Sequence, residues 1–181
     1  MEKTLHLGGG RGFVSGAEPA GDAARVATPG ATVRRATGDD VPAVAAGIAE
    51  LLVELGGEGP PAAELERAVA ELAAEREMGA LLVAEVEGES VVGVLAASWQ
   101  FAVHVPGRYG TIQDLWVHPE WRSKEIGRDL LAAFFELAKG EGAKRVEVGL
   151  PREDFPNLRA TEGFYLGNDF VHLGPRMRRM L

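Results

Sequence analysis

Cysteine is absent from all 181 residues. Disulfides, thiolate metal sites and a cysteine acyl-enzyme are excluded with it, so any group transfer must be direct or use another nucleophile. Long apolar runs are also missing: none nears the roughly 20 residues a bilayer requires, and no membrane role is expected. There is no excess of base either. Nineteen Lys and Arg stand against 27 Asp and Glu, giving a net charge of -8 and a pI near 5.1. Phosphate-backbone binding needs a basic face, so no nucleic-acid partner is expected, whereas cationic small molecules are compatible. His6, His104 and His172 show no metal-ligand spacing and no His-Glu-x-x-His run exists, so no metal is expected. The absence of a P-loop and of a Gly-x-Ser-x-Gly elbow sets aside nucleoside triphosphatase and serine hydrolase chemistry.

What is present is an ordinary globular composition, 46% hydrophobic and 25% charged, in a length that suits one compact domain with an added arm. The arm is 1–31, where Gly8-Gly9-Gly10-Arg11-Gly12, Gly16, Pro19, Gly21, Pro29 and Gly30 leave no sustained periodicity. Leu5, Leu7, Phe13 and Val14 are scattered among glycines instead of forming the apolar run of an export signal, so a cytoplasmic location is expected. The glycine run fails the dinucleotide fingerprint, because Phe13 stands where the third glycine belongs and no strand precedes it. Arm and tail offer surfaces for a homodimer.

From Thr32 onward the pattern sharpens. A strand is predicted over Thr32 to Ala36. Asp39 or Asp40 then caps a helix with Pro42 in its first turn, Val44, Ile48, Leu51 and Leu52 at helical spacing, and Gly56-Gly57 at its end. A second helix carries Leu65, Val69 and Leu72 on one face. Leu81 to Val86 and Val91 to Phe101 form a hairpin through Glu87-Gly88-Glu89-Ser90, and Val103 to Val105 is expected to turn through Pro106-Gly107-Arg108 into Tyr109 to His118. A helix from Ile126 to Lys139 follows, then a strand Arg145 to Leu150, a short helix Phe155 to Gly163, and strands Phe170 to His172 and Arg176 to Leu181. An antiparallel meander thus leads through a crossover helix to a parallel strand.

Between meander and crossover lies Trp116-Val117-His118-Pro119-Glu120-Trp121-Arg122-Ser123-Lys124-Glu125-Ile126-Gly127-Arg128, a strand end and a basic turn opening a helix. Such a turn leaves backbone N–H groups unpaired, and with the helix dipole they attract a phosphate. Arg122, Lys124 and Arg128 add formal charge. His118, before Pro119 at a strand end, reads as a turn residue.

That element order, with a basic turn after the fourth strand, resembles the GNAT acyltransferase superfamily over 32–181. Arg122-Ser123-Lys124-Glu125-Ile126-Gly127 is similar to its acyl-CoA pyrophosphate loop, and Leu115-Trp116-Val117-His118-Pro119 to its fourth strand. Asn157, Ala160, Phe164-Tyr165 and Phe170 resemble its C-terminal helix and following strand. The resemblance implies an α/β (α+β) GNAT-like fold with a mixed, mostly antiparallel sheet of six to seven strands and about four helices, in the order βααβββαβαββ. It also implies acetyl-CoA as cosubstrate, held by Leu115, Trp116, Val117, Arg122, Ser123, Lys124, Glu125, Ile126, Gly127, Arg128 and Asn157. Two departures stand out: Glu125 replaces the first family glycine, and Tyr165 lies eight residues after Asn157 where seven is usual.

Transfer to an amine needs a base and a proton donor for the departing thiolate, because an alkyl ammonium of pKa about 10.4 is almost wholly charged at neutral pH. Asp114, sharing a strand side with Trp116 while Leu115 and Val117 take the core side, is the first candidate base. Glu147 resembles a second base position, and the resemblance makes Tyr165 the general acid. Trp99, Phe101, Trp116 and Asp114 suggest a pocket for a cationic or aromatic small-molecule amine. The reaction expected is N-acetylation in a ternary complex. O-acylation or a non-catalytic acyl-CoA-binding sensor module are the alternatives.

Overall fold

The computed structural model describes residues 30–174 and Arg179, so most of the glycine-rich arm and the strand predicted over Arg176 to Leu181 lie outside the described residues. Strand β1 (Ala31–Arg35) leads through a 3-10 turn into helix α1 (Val41–Glu54) and then α2 (Ala62–Ala74). Strands β2 (Gly79–Val86), β3 (Val91–Ala102) and β4 (Val105–Val117) form the meander, and α3 (Ile126–Gly140) crosses to β5 (Val146–Val148) before α4 (Leu158–Leu166). The sheet order is β1-β2-β3-β4-β5. All pairings are antiparallel except β4 with β5, which is parallel, as a helical crossover requires.

Helices cover the sheet on both faces, which explains the nearly continuous apolar runs of β2 and β3. On one face α3 buries Ile126, Leu130, Leu131 and Phe134 against Leu82, Leu95 and Ile112, with Tyr165 of α4 beside them. On the other, Val44 and Ile48 of α1 and Val69 of α2 pack on Val83, Val94 and Trp116.

Two expectations are corrected. The strand count among the described residues is five, because Phe170 to His172 is irregular. Asp169 adopts a left-handed φ of 65°, and the Phe170 N–H donates to the Tyr165 carbonyl at 3.1 Å. The Phe170 ring thereby closes on Tyr165 and Phe135, with centroids at 5.3 and 5.9 Å, and the chain leaves the path of a strand. The second hairpin turns at Val103-His104, with Ala102 opposite Val105, and not at Pro106-Gly107-Arg108. Pro106 and Gly107 are absorbed into a bulge between the Phe101–Arg108 and Ala102–Val105 pairs, where a missing N–H and the Gly107 φ of 111° are both accommodated.

Arg34 ties the first strand to both the start of α1 and β2. Its guanidinium donates to both Asp40 oxygens at 2.7 and 2.8 Å and pairs with Glu85, while Asp40 also accepts from the Thr37 N–H at 2.7 Å. The Arg34 hydrogen bonds hold the buried Asp40 carboxyl well below the ordinary carboxylate range. Arg34→Met therefore strands a buried charge. Because Arg34 is itself partly solvated, the expected cost is about 2 to 3 kcal/mol, read as a lower urea midpoint at pH 7. A depressed pKa stabilises above the unfolded value of 3.8 and ceases to do so as pH falls through the folded value, so the mutant and wild type should converge in strong acid.

Candidate active site

Both sides of β4 change at one point. Toward β3 the register shifts between Ala96–Asp114 and Ala97–Ile112, so Gln113 is an extra, bulged residue whose side chain donates to Ser98 Oγ at 2.8 Å. Toward β5 the ladder ends at Ile112–Val148. Beyond it β4 keeps its pairing with β3 up to Val117 but has none with β5, so the two strands splay apart around Leu115, Trp116 and Val117. Backbone groups facing a splay are free to meet a ligand.

Asp114 stands at this splay, near enough to Tyr165 for its charge to act on the phenol. Burial pushes the Asp114 carboxyl up. Tyr165, 7% exposed on the last turn of α4, is pushed up to about 12, mainly by burial and further by the negative charge of Asp114. Titratable groups shifted by burial and by a neighbouring charge are a recurrent signature of a catalytic site. A cavity of about 1070 Å³ runs along the free side of β5, lined in part by Arg145, Glu147, Leu150, Tyr165 and Phe170. Glu147 is buried and ion-paired with Arg145 at 2.6 Å.

The aromatic pocket predicted from Trp99, Phe101 and Trp116 is not assembled. Trp99 stacks on Phe134 at 5.7 Å within the α3 core and donates its indole N–H to the Arg76 carbonyl. Trp116 points to the opposite face, buried under α1, where a Cβ on Gly47 would come within 2.7 Å of its ring. Phe101 is 76% exposed near the hairpin end. Alternation did separate Trp116 from Leu115 and Val117 as read from sequence, but its side of the sheet is a second core and not a cleft.

The basic turn is shaped as an anion cradle. After a 3-10 turn capped by His118 Nδ1, Ser123 and Glu125 adopt left-handed φ angles of 60° and 64°, Glu125 being the residue that enters α3. Its side chains are mutually engaged: Arg122 pairs with Glu54 at the end of α1 and donates to the Val117 carbonyl at 3.0 Å, Arg128 pairs with Glu125 at 2.7 Å, and the Lys124 Nζ lies 4.4 Å from the Trp121 ring centroid. Gly127 packs beneath Phe164, leaving 3.1 Å for a Cβ. Asn157 precedes α4 as an exposed N-cap residue. Sequence reading missed Glu54 and Arg145, for neither carries a motif.

Glu125 thus occupies the backbone state that a glycine favours, at about 1 to 2 kcal/mol for a non-glycine residue. It also covers Arg128 with its own negative charge. If the turn holds acetyl-CoA, as the family resemblance implies, Glu125→Gly should free that cation and tighten its binding about tenfold, roughly 1.4 kcal/mol. Calorimetry showing unchanged or weaker binding would refute this account.

No cluster of three metal-ligating His, Cys, Asp or Glu side chains occurs among the described residues, and no described helix is long and apolar enough to cross a membrane.

The sequence profile of the acetyltransferase (GNAT) family matches residues 48–167. The chain is 30% identical over 94 residues to an uncharacterized N-acetyltransferase of Archaeoglobus fulgidus, covering 52% of this chain and 61% of that protein. It is 36% identical over 76 residues to the aminoalkylphosphonate N-acetyltransferase of Salmonella typhimurium, covering 41% and 49%. The matches therefore span only about half to three fifths of the length of these curated relatives. In fold, the chain is similar to an aminoglycoside N-acetyltransferase solved with CoA, with a TM-score of 0.69 at 13% identity over 83% of this chain and 94% of that one.

Proposed function

This chain belongs to the acetyltransferase (GNAT) family, and from that premise we propose that it transfers an acetyl group from acetyl-CoA to a primary amine of a small molecule, directly and in a ternary complex. The observation that carries the proposal is the β4–β5 splay at Asp114, whose charge reaches the buried Tyr165 phenol, each group shifted toward its protonated form.

The residues present fit acetyl-CoA. The left-handed turn at 123–125 leads into the N-terminus of α3, whose first-turn N–H groups and dipole suit the pyrophosphate, with Arg122, Lys124 and Arg128 around them. Unpaired backbone groups of Leu115 to Val117 align the pantetheine arm. Bound acetyl-CoA supplies an activated thioester. The chain's own residues do the rest. Asp114, made more basic by burial, accepts the ammonium proton directly or through water. A β4 N–H facing the splay meets the developing oxyanion, a contact worth roughly 3 to 4 kcal/mol. Tyr165 keeps its proton at neutral pH and donates a hydrogen bond to the departing sulfur. Glu147, the other carboxylate considered, is engaged with Arg145, and the role of base is assigned to Asp114.

Thiol release from acetyl-CoA across a panel of amines tests the proposal, preceded by a thermal shift with acetyl-CoA. No binding of acetyl-CoA sinks it before any acceptor is considered. A second reading, a non-catalytic acyl-CoA-binding or sensor module, draws on the pairing of Arg128 with Glu125 in the cradle. Binding without thiol release for any amine selects that reading.

A further inference from the structure

The last turn of α1 goes against helix chemistry. Glu54 is its final residue, and a carboxylate there meets the negative end of the helix dipole with no basic residue in that turn to offset it. Glu50, four residues earlier on the same face, adds like-charge repulsion. The counter-ion comes from elsewhere in the fold: Arg122, five residues beyond the end of β4, pairs with Glu54 and donates its Nε–H to the Val117 carbonyl at 3.0 Å. A guanidinium at the edge of the anion cradle is thus already holding a carboxylate.

The chain then crosses the open end of the splay. Two residues after Glu54, Gly56 turns with a φ of 73°, and a Cβ built on it would lie 3.3 Å from Nη2 of Arg152, four residues beyond the end of β5. Arg122 follows β4 and Arg152 follows β5, the parallel strands whose ladder ends at Ile112–Val148, so both sides of the gap reach one turn of backbone. The connection 55–61 is otherwise lightly held. It contains Gly56, Gly57, Gly59, Pro60 and Pro61, is exposed from Gly56 onward, and is closed by the Gly56 N–H to the Val53 carbonyl and the Gly57 N–H to the Leu52 carbonyl, both at 3.0 Å. A segment with so little buried opens at small free-energy cost, and its glycines supply the backbone range to do so.

Resting on the acetyltransferase reading above, we infer that Glu54 is an internal stand-in for a phosphate at Arg122, and that this ion pair is an autoinhibitory latch. A diphosphate entering the cradle carries more charge than one carboxylate and takes the guanidinium, which keeps its bond to Val117. Glu54 then faces the helix dipole without a counter-ion, and the last turn of α1 loosens. The connection 55–61 withdraws from the open end of the splay, on the α1 side of β4 that Asp114 shares with Trp116. The coupling is reciprocal: a change that weakens the closed strap tightens phosphate binding by the same factor.

The test uses the full chain with CoA as the probe and reads backbone hydrogen exchange in the peptide 52–61 beside calorimetric affinity. In the wild type, CoA should speed exchange at Gly56 and Gly57, the reverse of the protection a bound ligand ordinarily confers. Glu54→Gln keeps the size of the side chain and removes its charge. Without ligand its exchange over 52–61 should already match that of CoA-bound wild type, CoA should add little, and CoA affinity should rise about 2- to 5-fold, the span of a partly solvated ion pair. Glu58→Gln removes the same charge from the connection while leaving the Glu54–Arg122 pair in place, so it should stay near wild type in both readings. Unchanged or weaker CoA binding in Glu54→Gln, equal tightening in Glu58→Gln, or protection of 52–61 by CoA in the wild type overturns the latch. In each of those cases CoA has bound and the acetyltransferase reading stands. If CoA binds neither the wild type nor Glu54→Gln, the latch and that reading fall together.

Discussion

Asp114→Asn is expected to lower kcat by about 100- to 1000-fold and, in the same protein, to raise thermal stability at neutral pH. The two effects have one cause. Folding takes the Asp114 carboxylate out of water beside Tyr165, and burial raises its pKa above the unfolded value of 3.8. Between those values the folded protein keeps a proton that the unfolded chain has lost, so stability falls as pH rises through the window. Above the folded pKa the penalty is complete, and below 3.8 it vanishes. Asn carries no such penalty. Melting curves should therefore show the variant above wild type at pH 7 and equal to it in acid. Asn cannot accept the ammonium proton, so its kcat should rise with pH as the free amine fraction grows. A variant with wild-type turnover at neutral pH removes Asp114 from the role of base and returns Glu147 to consideration.

What sequence reveals about this site depends on whether the signal is periodic, local or long-range. The antiparallel meander, the crossover helix and the basic turn after β4 were legible, because apolar spacing and the run from Arg122 to Gly127 are local patterns. The site's aromatic residues were not. Alternation puts Asp114 and Trp116 on one side of β4, and a one-sided sheet would then expose both in a cleft. Here that side is covered by α1, where Gly47 makes room for the indole, so Trp116 became core while Asp114 stayed at the splay. Nothing in the chain near Trp116 announces a glycine about seventy residues earlier. The bulge at Gln113 is equally silent, being a mismatch between two strands and not a property of either one. Pro106-Gly107 misled for a related reason: the same residues that favour a turn also favour a bulge, and the pairing of Ala102 with Val105 decides between them. Arg145 and Glu147 gain meaning only from Tyr109 and His104 on the neighbouring strand and turn.

Glu54 has the same character, for its pairing with Arg122 joins the end of α1 to the anion cradle. A phosphate arriving at Arg122 competes with that carboxylate. On the proposed reading, cofactor binding would thereby be linked to the end of α1 through one ion pair, whose partners are both partly solvated and whose strength will fall with salt.

Tyr165→Phe should cost about 100-fold or more in kcat while leaving acetyl-CoA affinity near its wild-type value. The ring contacts with Phe164 and Phe170, both at 5.3 Å, do not involve the hydroxyl, so the fold survives and the change isolates one oxygen. What that oxygen does is constrained by its acidity. An ordinary thiol has a pKa of about 8.5, whereas Tyr165 is pushed up to about 12. Handing a full proton to the thiolate would be uphill by roughly 3.5 pH units, close to 5 kcal/mol. A hydrogen bond that strengthens as charge builds on sulfur carries no such cost, and on the proposed mechanism it is this differential contact that would accelerate the step. The pH profile separates the two. With the phenol titrating near 12, wild-type activity should show no fall attributable to it below about pH 11. An alkaline fall centred near 10 that disappears in Tyr165→Phe would contradict the assignment. Asp114→Asn supplies the cross-check: with the neighbouring negative charge gone, the Tyr165 pKa should drop, though burial keeps it above the ordinary 10.0, and ultraviolet titration of the phenolate in the two proteins measures that drop directly.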